Sequence, residues 1–127
     1  MATQASVLVV DDDSDNRESL AELLQVHGYA ATTAADGDEG FRLAVEKPPT
    51  AIILDLVMPN VGGFDAVQRL KSDDRTRAVP VVCLTGLTGA RERAIELGFS
   101  AFLVKPVEAD RLLRVLEALL MKPAGSC

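Results

Sequence analysis

The chain has 127 residues, 13 of them basic and 19 acidic, for a formal net charge of −6. A chain of this length holds one domain with a proper core, since domains run most often to about 100–150 residues, and its acidic balance opposes binding to nucleic acid or an anionic membrane through bulk electrostatics. No apolar run approaches the ~18–20 residues of a membrane span, and the start Met1-Ala2-Thr3-Gln4-Ala5 lacks the basic and apolar regions of a signal peptide, so the chain reads as cytoplasmic.

Trp is absent and aromatics make up 4% of the residues, so the core has to be aliphatic. The first apolar run, Val7-Leu8-Val9-Val10, is too short for a helix and reads as a strand. Asp11-Asp12-Asp13 follow it. Asp15 with Glu18 resembles a capping pair, and Leu20, Leu23, Leu24 and His27 then recur at i, i+3, i+4 and i+7, the spacing of a helix. Gly28 sits where a C-cap glycine belongs. Ala30-Ala31-Thr32-Thr33-Ala34 is a weaker strand, and Phe41, Ala44 and Val45 mark a second helix ended by Pro48-Pro49.

The third strand, Ala51-Ile52-Ile53-Leu54, runs straight into Asp55. A loop rigidified by Pro and freed by Gly follows, Met58-Pro59-Asn60-Val61-Gly62-Gly63, and then a third helix through Phe64, Val67 and Leu70. Val79-Pro80-Val81-Val82-Cys83-Leu84 forms the fourth strand, followed by Thr85-Gly86. Ala94, Ile95 and Leu97 make a fourth helix closed by Gly98. Ala101-Phe102-Leu103-Val104 is the fifth strand, Lys105-Pro106 follows it, and Leu112, Val115, Leu116 and Leu119 carry the fifth helix. Residues 1–122 read as the domain and 123–127 as a short flexible tail. Cys83, inside an apolar run, reads as a small core residue and Cys127 as a tail thiol; the two form neither a disulfide framework nor a metal pair.

Strands without polar alternation are covered on both faces, and strict βα alternation gives a parallel sheet with right-handed crossovers. The expected fold is a doubly wound α/β three-layer sandwich of five parallel strands and five helices. In such a sheet ligands bind outside the carboxyl ends of the strands, where the connecting loops splay apart. Asp11, Asp12, Asp55, Thr85 and Lys105 all fall there.

A carboxylate against an apolar core is costly unless compensated. Gathering Asp11, Asp12 and Asp55 adds like-charge repulsion, which must raise their pKa values or recruit a cation. Hard oxygen ligands at that density suit Mg²⁺, which commonly takes one or two carboxylates plus a phosphate. Lys105 supplies a point charge for a phosphoryl or carboxylate oxygen, and the Thr85 hydroxyl a donor. A carboxylate nucleophile, a metal, a lysine and a hydroxyl are what an aspartyl-phosphate centre requires.

The segments VLVVDDD, IILDLVMPNVGG, VVCLTG and FLVKP, in that order along nearly the whole chain, resemble the receiver domain of two-component response regulators. The resemblance implies a flavodoxin-like (βα)5 fold with strand order 2-1-3-4-5. It implies that Asp55 is the phosphoacceptor, that Asp11 and Asp12 hold Mg²⁺ with Asp55 and the Val57 backbone carbonyl, and that Thr85 is the switch hydroxyl. Lys105 would pair with the phosphoryl group, Phe102 would be the switch aromatic, and the Lys105–Pro106 bond would be cis. Implied partners are a histidine kinase or phosphotransfer protein and a downstream protein, with no nucleic acid and no membrane. The expected protein is a single-domain regulator, a monomer at rest, with phosphorylation-dependent dimerisation left open.

Blander roles stand beside these. Asp11-Asp12-Asp13 can be a turn and helix-capping cluster, with Asp13 serving mainly that purpose. Lys105 can be a solvated lysine, Thr85 can close a turn before Gly86, Phe102 can be plain core, and His27 is a helix-end residue with no assigned function. Two features depart from the commonest family pattern. The 20 positions from Thr85 to Lys105 are few, which points to a trimmed fourth helix or preceding loop. Val57 and Leu87, two beyond Asp55 and Thr85, are apolar where relatives can carry groups that place a hydrolytic water.

Other functional classes make distinct demands. Asp11 and Asp13 as Asp-x-Asp after a strand resemble the nucleophile motif of haloacid dehalogenase-type phosphatases, but that reading leaves Asp55 without a role. A pseudo-receiver, which keeps the fold without phosphorylation, sits poorly with a complete site set. Dinucleotide binding fails for want of Gly-x-Gly-x-x-Gly after the first strand.

Overall fold

The structure is a computed structural model that describes residues 4–58 and 62–120. The expectations for Met1–Thr3, for Pro59, Asn60 and Val61, and for the tail with Cys127 lie outside the described residues. Five strands, β1 (Ser6–Val10), β2 (Ala30–Ala34), β3 (Ala51–Leu54), β4 (Val81–Thr85) and β5 (Ala101–Val104), alternate with five helices. These are α1 (Ser14–Val26), α2 (Gly37–Glu46), α3 (Gly63–Ser72), α4 (Arg91–Leu97) and α5 (Ala109–Leu120). All strand pairs are parallel and the order is β2-β1-β3-β4-β5, the doubly wound arrangement expected.

Alternation along each strand divides the core into two layers. Leu8, Val10, Ile52, Leu54, Val81, Cys83 and Phe102 pack toward α2, α3 and α4, where they meet Ala44, Val67, Leu70 and Ala94. Val7, Val9, Ala51, Ile53, Val82, Leu84 and Leu103 pack the other way, against Leu24 of α1 and Leu112 and Leu116 of α5. Both faces of β3 are therefore covered, which is why its sequence shows no polar alternation. Cys83 is fully buried in the first of these layers.

Two local expectations change. The N-cap of α1 is Asp13, whose side chain accepts from the Asp15 and Asn16 backbone N–H groups, so Asp15 lies inside the first turn and does not pair with Glu18 as a cap. The reason is the turn upstream: Asp11 Oδ1 accepts from Asp13 N at 2.9 Å and fixes Asp13 at the helix entrance. The fourth strand begins at Val81 because Pro80 has no N–H to give; its carbonyl still accepts from Ile52 N at 3.0 Å. The chain then stays extended through Thr85.

Gly28 and Gly98 end α1 and α4 with φ of 92° and 113°, the left-handed conformation glycine favours. His27 is the C-cap residue of α1, exposed, with Nδ1 3.0 Å from the Leu23 carbonyl oxygen. The shortest of the five helices is α4, at seven residues, with Ala90 as an N-cap that offers no side-chain hydrogen bond. No helix among the described residues is long and apolar enough to cross a membrane.

Candidate functional site

Strand register places the site. Val10 pairs with Leu54, Leu54 with Cys83, and Thr85 with Val104, so the residues that follow each strand emerge on one edge. Backbone bonds continue past the strand ends: Asp11 N donates to Ala34 O at 3.1 Å, Asp55 N to Val10 O at 3.1 Å and Lys105 N to Thr85 O at 2.7 Å. Asp11 and Asp55 therefore keep nearly strand-like anchoring while their side chains reach the edge.

Carboxylate oxygens of Asp11, Asp12 and Asp55 lie within 4.8 Å of one another. Asp11 and Asp55 are buried, at 6% and 8% exposure, whereas Asp12 is exposed. Lys105 bridges the two buried acids, with Nζ 2.9 Å from Asp11 Oδ2 and 3.1 Å from Asp55 Oδ2. Burial alone would pull the lysine pKa down; the hydrogen bonds and charges of Asp11 and Asp55 outweigh it and hold the ammonium above its ordinary value. The remaining oxygens have local partners: Asp55 Oδ1 accepts from Val57 N at 3.2 Å and Asp11 Oδ1 from Asp13 N. The Lys105–Pro106 bond is cis, as the resemblance implies.

Such a set of clustered carboxylate oxygens, with no nitrogen or sulfur donor among them, fits a hard divalent cation. Thr85, fully buried at the end of β4, accepts from Leu87 N at 3.3 Å through Oγ1, so its hydroxyl closes the turn expected before α4. Phe102 is buried at 8% exposure and packs in the layer facing α4, while Val57 and Leu87 stand 58% and 44% exposed.

One residue at the site escaped the sequence reading, and a second, Gly63, does more than free the loop the sequence places it in, since it opens α3. Arg17 in α1 donates from Nη1 to the Asp11 carbonyl oxygen at 2.8 Å. Its signal was faint: a cation in the first turn opposes the helix dipole, which hints at a specific partner. Gly63 brings the start of α3 onto the backbone of the Asp55 strand end, where an added Cβ would fall on the Asp55 carbonyl oxygen and 2.6 Å from Leu56 Cα. Its N–H donates to Leu56 O at 2.9 Å.

Two grooves flank the edge. One, of about 530 Å³, opens beside Asp11 and Lys105 between α1 and the chain after β5, with Leu20, Leu23, Leu84 and Val107 in its walls. The other, also about 530 Å³, lies over Phe102 and Val104 between Arg91 of α4 and Arg111 of α5.

Comparison with known proteins agrees with this arrangement. Residues 7–117 match the family model described as the response regulator receiver domain. Protein PilH of Pseudomonas aeruginosa is 32% identical over 118 residues, which cover 91% of this chain and 98% of PilH. The DNA-binding dual master transcriptional regulator RpaA of Synechocystis is 36% identical over 118 residues, and there the chain spans about half (49%) of the relative. Among solved structures, the chemotaxis protein CheY4 of Vibrio cholerae superposes with a TM-score of 0.87 at 32% identity, covering 93% of this chain and 100% of CheY4. The receiver domain of the sensor histidine kinase PA1611 of Pseudomonas aeruginosa, solved with a magnesium ion coordinated in its active-site cleft, gives 0.86 at 29% identity, covering 93% of this chain and 98% of that one. With the match running from β1 into α5, the chain belongs to the response regulator receiver domain family.

Proposed function

We propose that the chain accepts a phosphoryl group on Asp55 from the phosphohistidine of a histidine kinase or phosphotransfer protein, in a Mg²⁺-dependent reaction, and passes the signal on by a change of conformation. The observation that carries this reading is the buried Asp55 carboxylate at the end of β3, set within 4.8 Å of two other acids and bridged by Lys105. An Asp55 oxygen bonds to phosphorus as the bond from phosphorus to the donor imidazole nitrogen breaks, which yields an acyl phosphate and frees the imidazole. Positioning and charge neutralisation supply most of the catalysis in such a transfer.

Asp11, Asp12, Asp55 and the Val57 carbonyl would hold Mg²⁺, which when bound supplies positive charge to the phosphoryl oxygens. Lys105 exchanges its hold on Asp55 for a phosphoryl oxygen. Thr85 exchanges its bond with Leu87 N for another, and Phe102 follows into the space it leaves. The groove over Phe102 and Val104 then changes shape, and a downstream protein reads that surface. The apolar groove beside Asp11 and Lys105 suits the phosphodonor, because it adjoins the acid that receives the group.

On this reading residues 1–122 are the receiver domain and act in the cytoplasm as a monomer at rest. The protein catalyses its own phosphorylation and its slow dephosphorylation as a signalling phosphoacceptor. Incubation with acetyl phosphate with and without Mg²⁺, followed by intact mass, tests it. One added phosphoryl group that needs Mg²⁺ and is lost in Asp55→Asn is the expected result. No gain in the wild type supports a pseudo-receiver, and a gain that survives Asp55→Asn but is lost in Asp11→Asn supports the hydrolase reading.

A further inference from the structure

Every polar atom of Asp11 has a partner: N binds Ala34 O, Oδ1 binds Asp13 N, Oδ2 binds Lys105 Nζ, and the carbonyl oxygen takes Arg17 Nη1 at 2.8 Å. Asp12 is different. Its carboxylate is exposed, and among the described residues no hydrogen bond holds it, yet its oxygen lies within 4.8 Å of those of Asp11 and Asp55. The peptide that joins Asp11 to Asp12 is held through its carbonyl by Arg17. Arg17 is itself fixed, since its backbone N–H donates to Asp13 O at 2.9 Å in the first turn of α1. A guanidinium in that turn works against the helix dipole, and half-burial adds a desolvation cost; the carbonyl contact offsets both.

We infer that Arg17 is a positioning residue of the acidic cluster, one that orients the Asp12 carboxylate toward a divalent cation by clamping the Asp11–Asp12 peptide. The inference rests on the metal-site reading of Asp11, Asp12 and Asp55. A purely electrostatic role for Arg17 makes the opposite prediction, because a cation near the cluster repels a divalent ion and its removal would tighten binding.

Mn²⁺ binding followed by electron paramagnetic resonance on the unphosphorylated protein separates these roles without reference to phosphoryl transfer. Loss of an outer partner of a metal ligand typically costs 10–100-fold in affinity, so Arg17→Met is expected to weaken Mn²⁺ binding about tenfold. Arg17→Lys, which keeps one donor and the charge, is expected to recover most of that loss. In an Asp12→Asn background Arg17→Met should add less than about twofold, because it acts through Asp12. Unchanged or tighter binding in Arg17→Met overturns the inference, as does an equal loss in the Asp12→Asn background. Should Arg17→Met fail to fold, Arg17→Gln, which is shorter and uncharged, takes its place: weaker Mn²⁺ binding at unchanged thermal stability supports the clamp, and wild-type binding overturns it. Failure of the wild type to bind Mn²⁺, or indifference to Asp12→Asn, defeats the metal-site reading and the inference with it, whereas wild-type binding that depends on Asp12 but not on Arg17 defeats the inference alone.

Discussion

Replacing Lys105 with Met leaves two buried carboxylates facing each other without their counterion. Their oxygens lie within 4.8 Å, which at an effective dielectric of ~20 amounts to about 3.5 kcal/mol of repulsion between full charges. The lysine side chain is 25% exposed and those of Asp11 and Asp55 9% and 10%, so solvent screens part of this. The expected loss is about 2–3 kcal/mol, near the lower end for breaking one side of a buried pair. Urea unfolding in EDTA measures it. The loss should shrink to below about 1 kcal/mol in Asp55→Asn, where one of the opposed charges is gone, and it should also shrink when Mg²⁺ is added. The pH dependence has a definite sign. Because the folded lysine titrates above its ordinary value, its stabilisation is complete below about pH 10 and disappears as the pH rises through the folded pKa, so wild type and Lys105→Met should converge only in strong alkali. An equal loss in both Asp55 backgrounds, or a loss that grows with added Mg²⁺, would refute the reasoning.

Other consequences are direct. Gly63→Ala should cost about 3 kcal/mol, the upper end for overpacking, because the new methyl would meet the Asp55–Leu56 backbone, which cannot turn aside; Gly40→Ala, whose Cβ meets the Val10 side chain 2.9 Å away, should cost clearly less. Thermal unfolding compares the two, and equal costs would argue against the close approach of α3 to Asp55. Burial, aided by the charge of Asp55 and opposed by Lys105, pushes the Cys83 thiol up to about 12, so in a Cys127→Ser background the native protein should resist maleimide at pH 8 and react only on unfolding. Prompt labelling of the native state would contradict that burial. Val57→Asn with Leu87→Glu should shorten the phosphoryl lifetime about tenfold or more by holding a water beside the acyl phosphate, a modest share of what a positioned base supplies. An unchanged decay in a time course of intact mass would remove these two side chains from the account.

Sheet and layers were legible because uninterrupted runs such as Ala51–Leu54 can be covered only from both sides, and the site because polar residues follow four of the five runs on the same edge. The convergence of Asp11, Asp12 and Asp55 needs strand direction and the pairing of β1 with β3, which the resemblance implies. What stayed hidden depends on contacts between elements. The choice of Asp13 over Asp15 as cap is decided by the turn Asp11 makes, and the need for Gly63 by how closely α3 approaches β3. The Arg17 clamp joins a helix to a strand end six residues earlier, and spacing alone does not reveal which atom it seeks. Thr76 is a similar case: its fully buried hydroxyl donates to Leu70 O at 2.7 Å, a partner that exists only once the turn after α3 has closed.

Asp55, among several clustered acids, is the residue proposed to take the phosphoryl group. The most direct measurement is to phosphorylate the protein with acetyl phosphate and Mg²⁺, reduce the acyl phosphate with borohydride, and sequence the peptides by tandem mass spectrometry. Homoserine is expected at position 55, with Asp11, Asp12 and Asp13 unmodified. Homoserine at position 11, or a phosphorylated protein without any reducible site at 55, would contradict it.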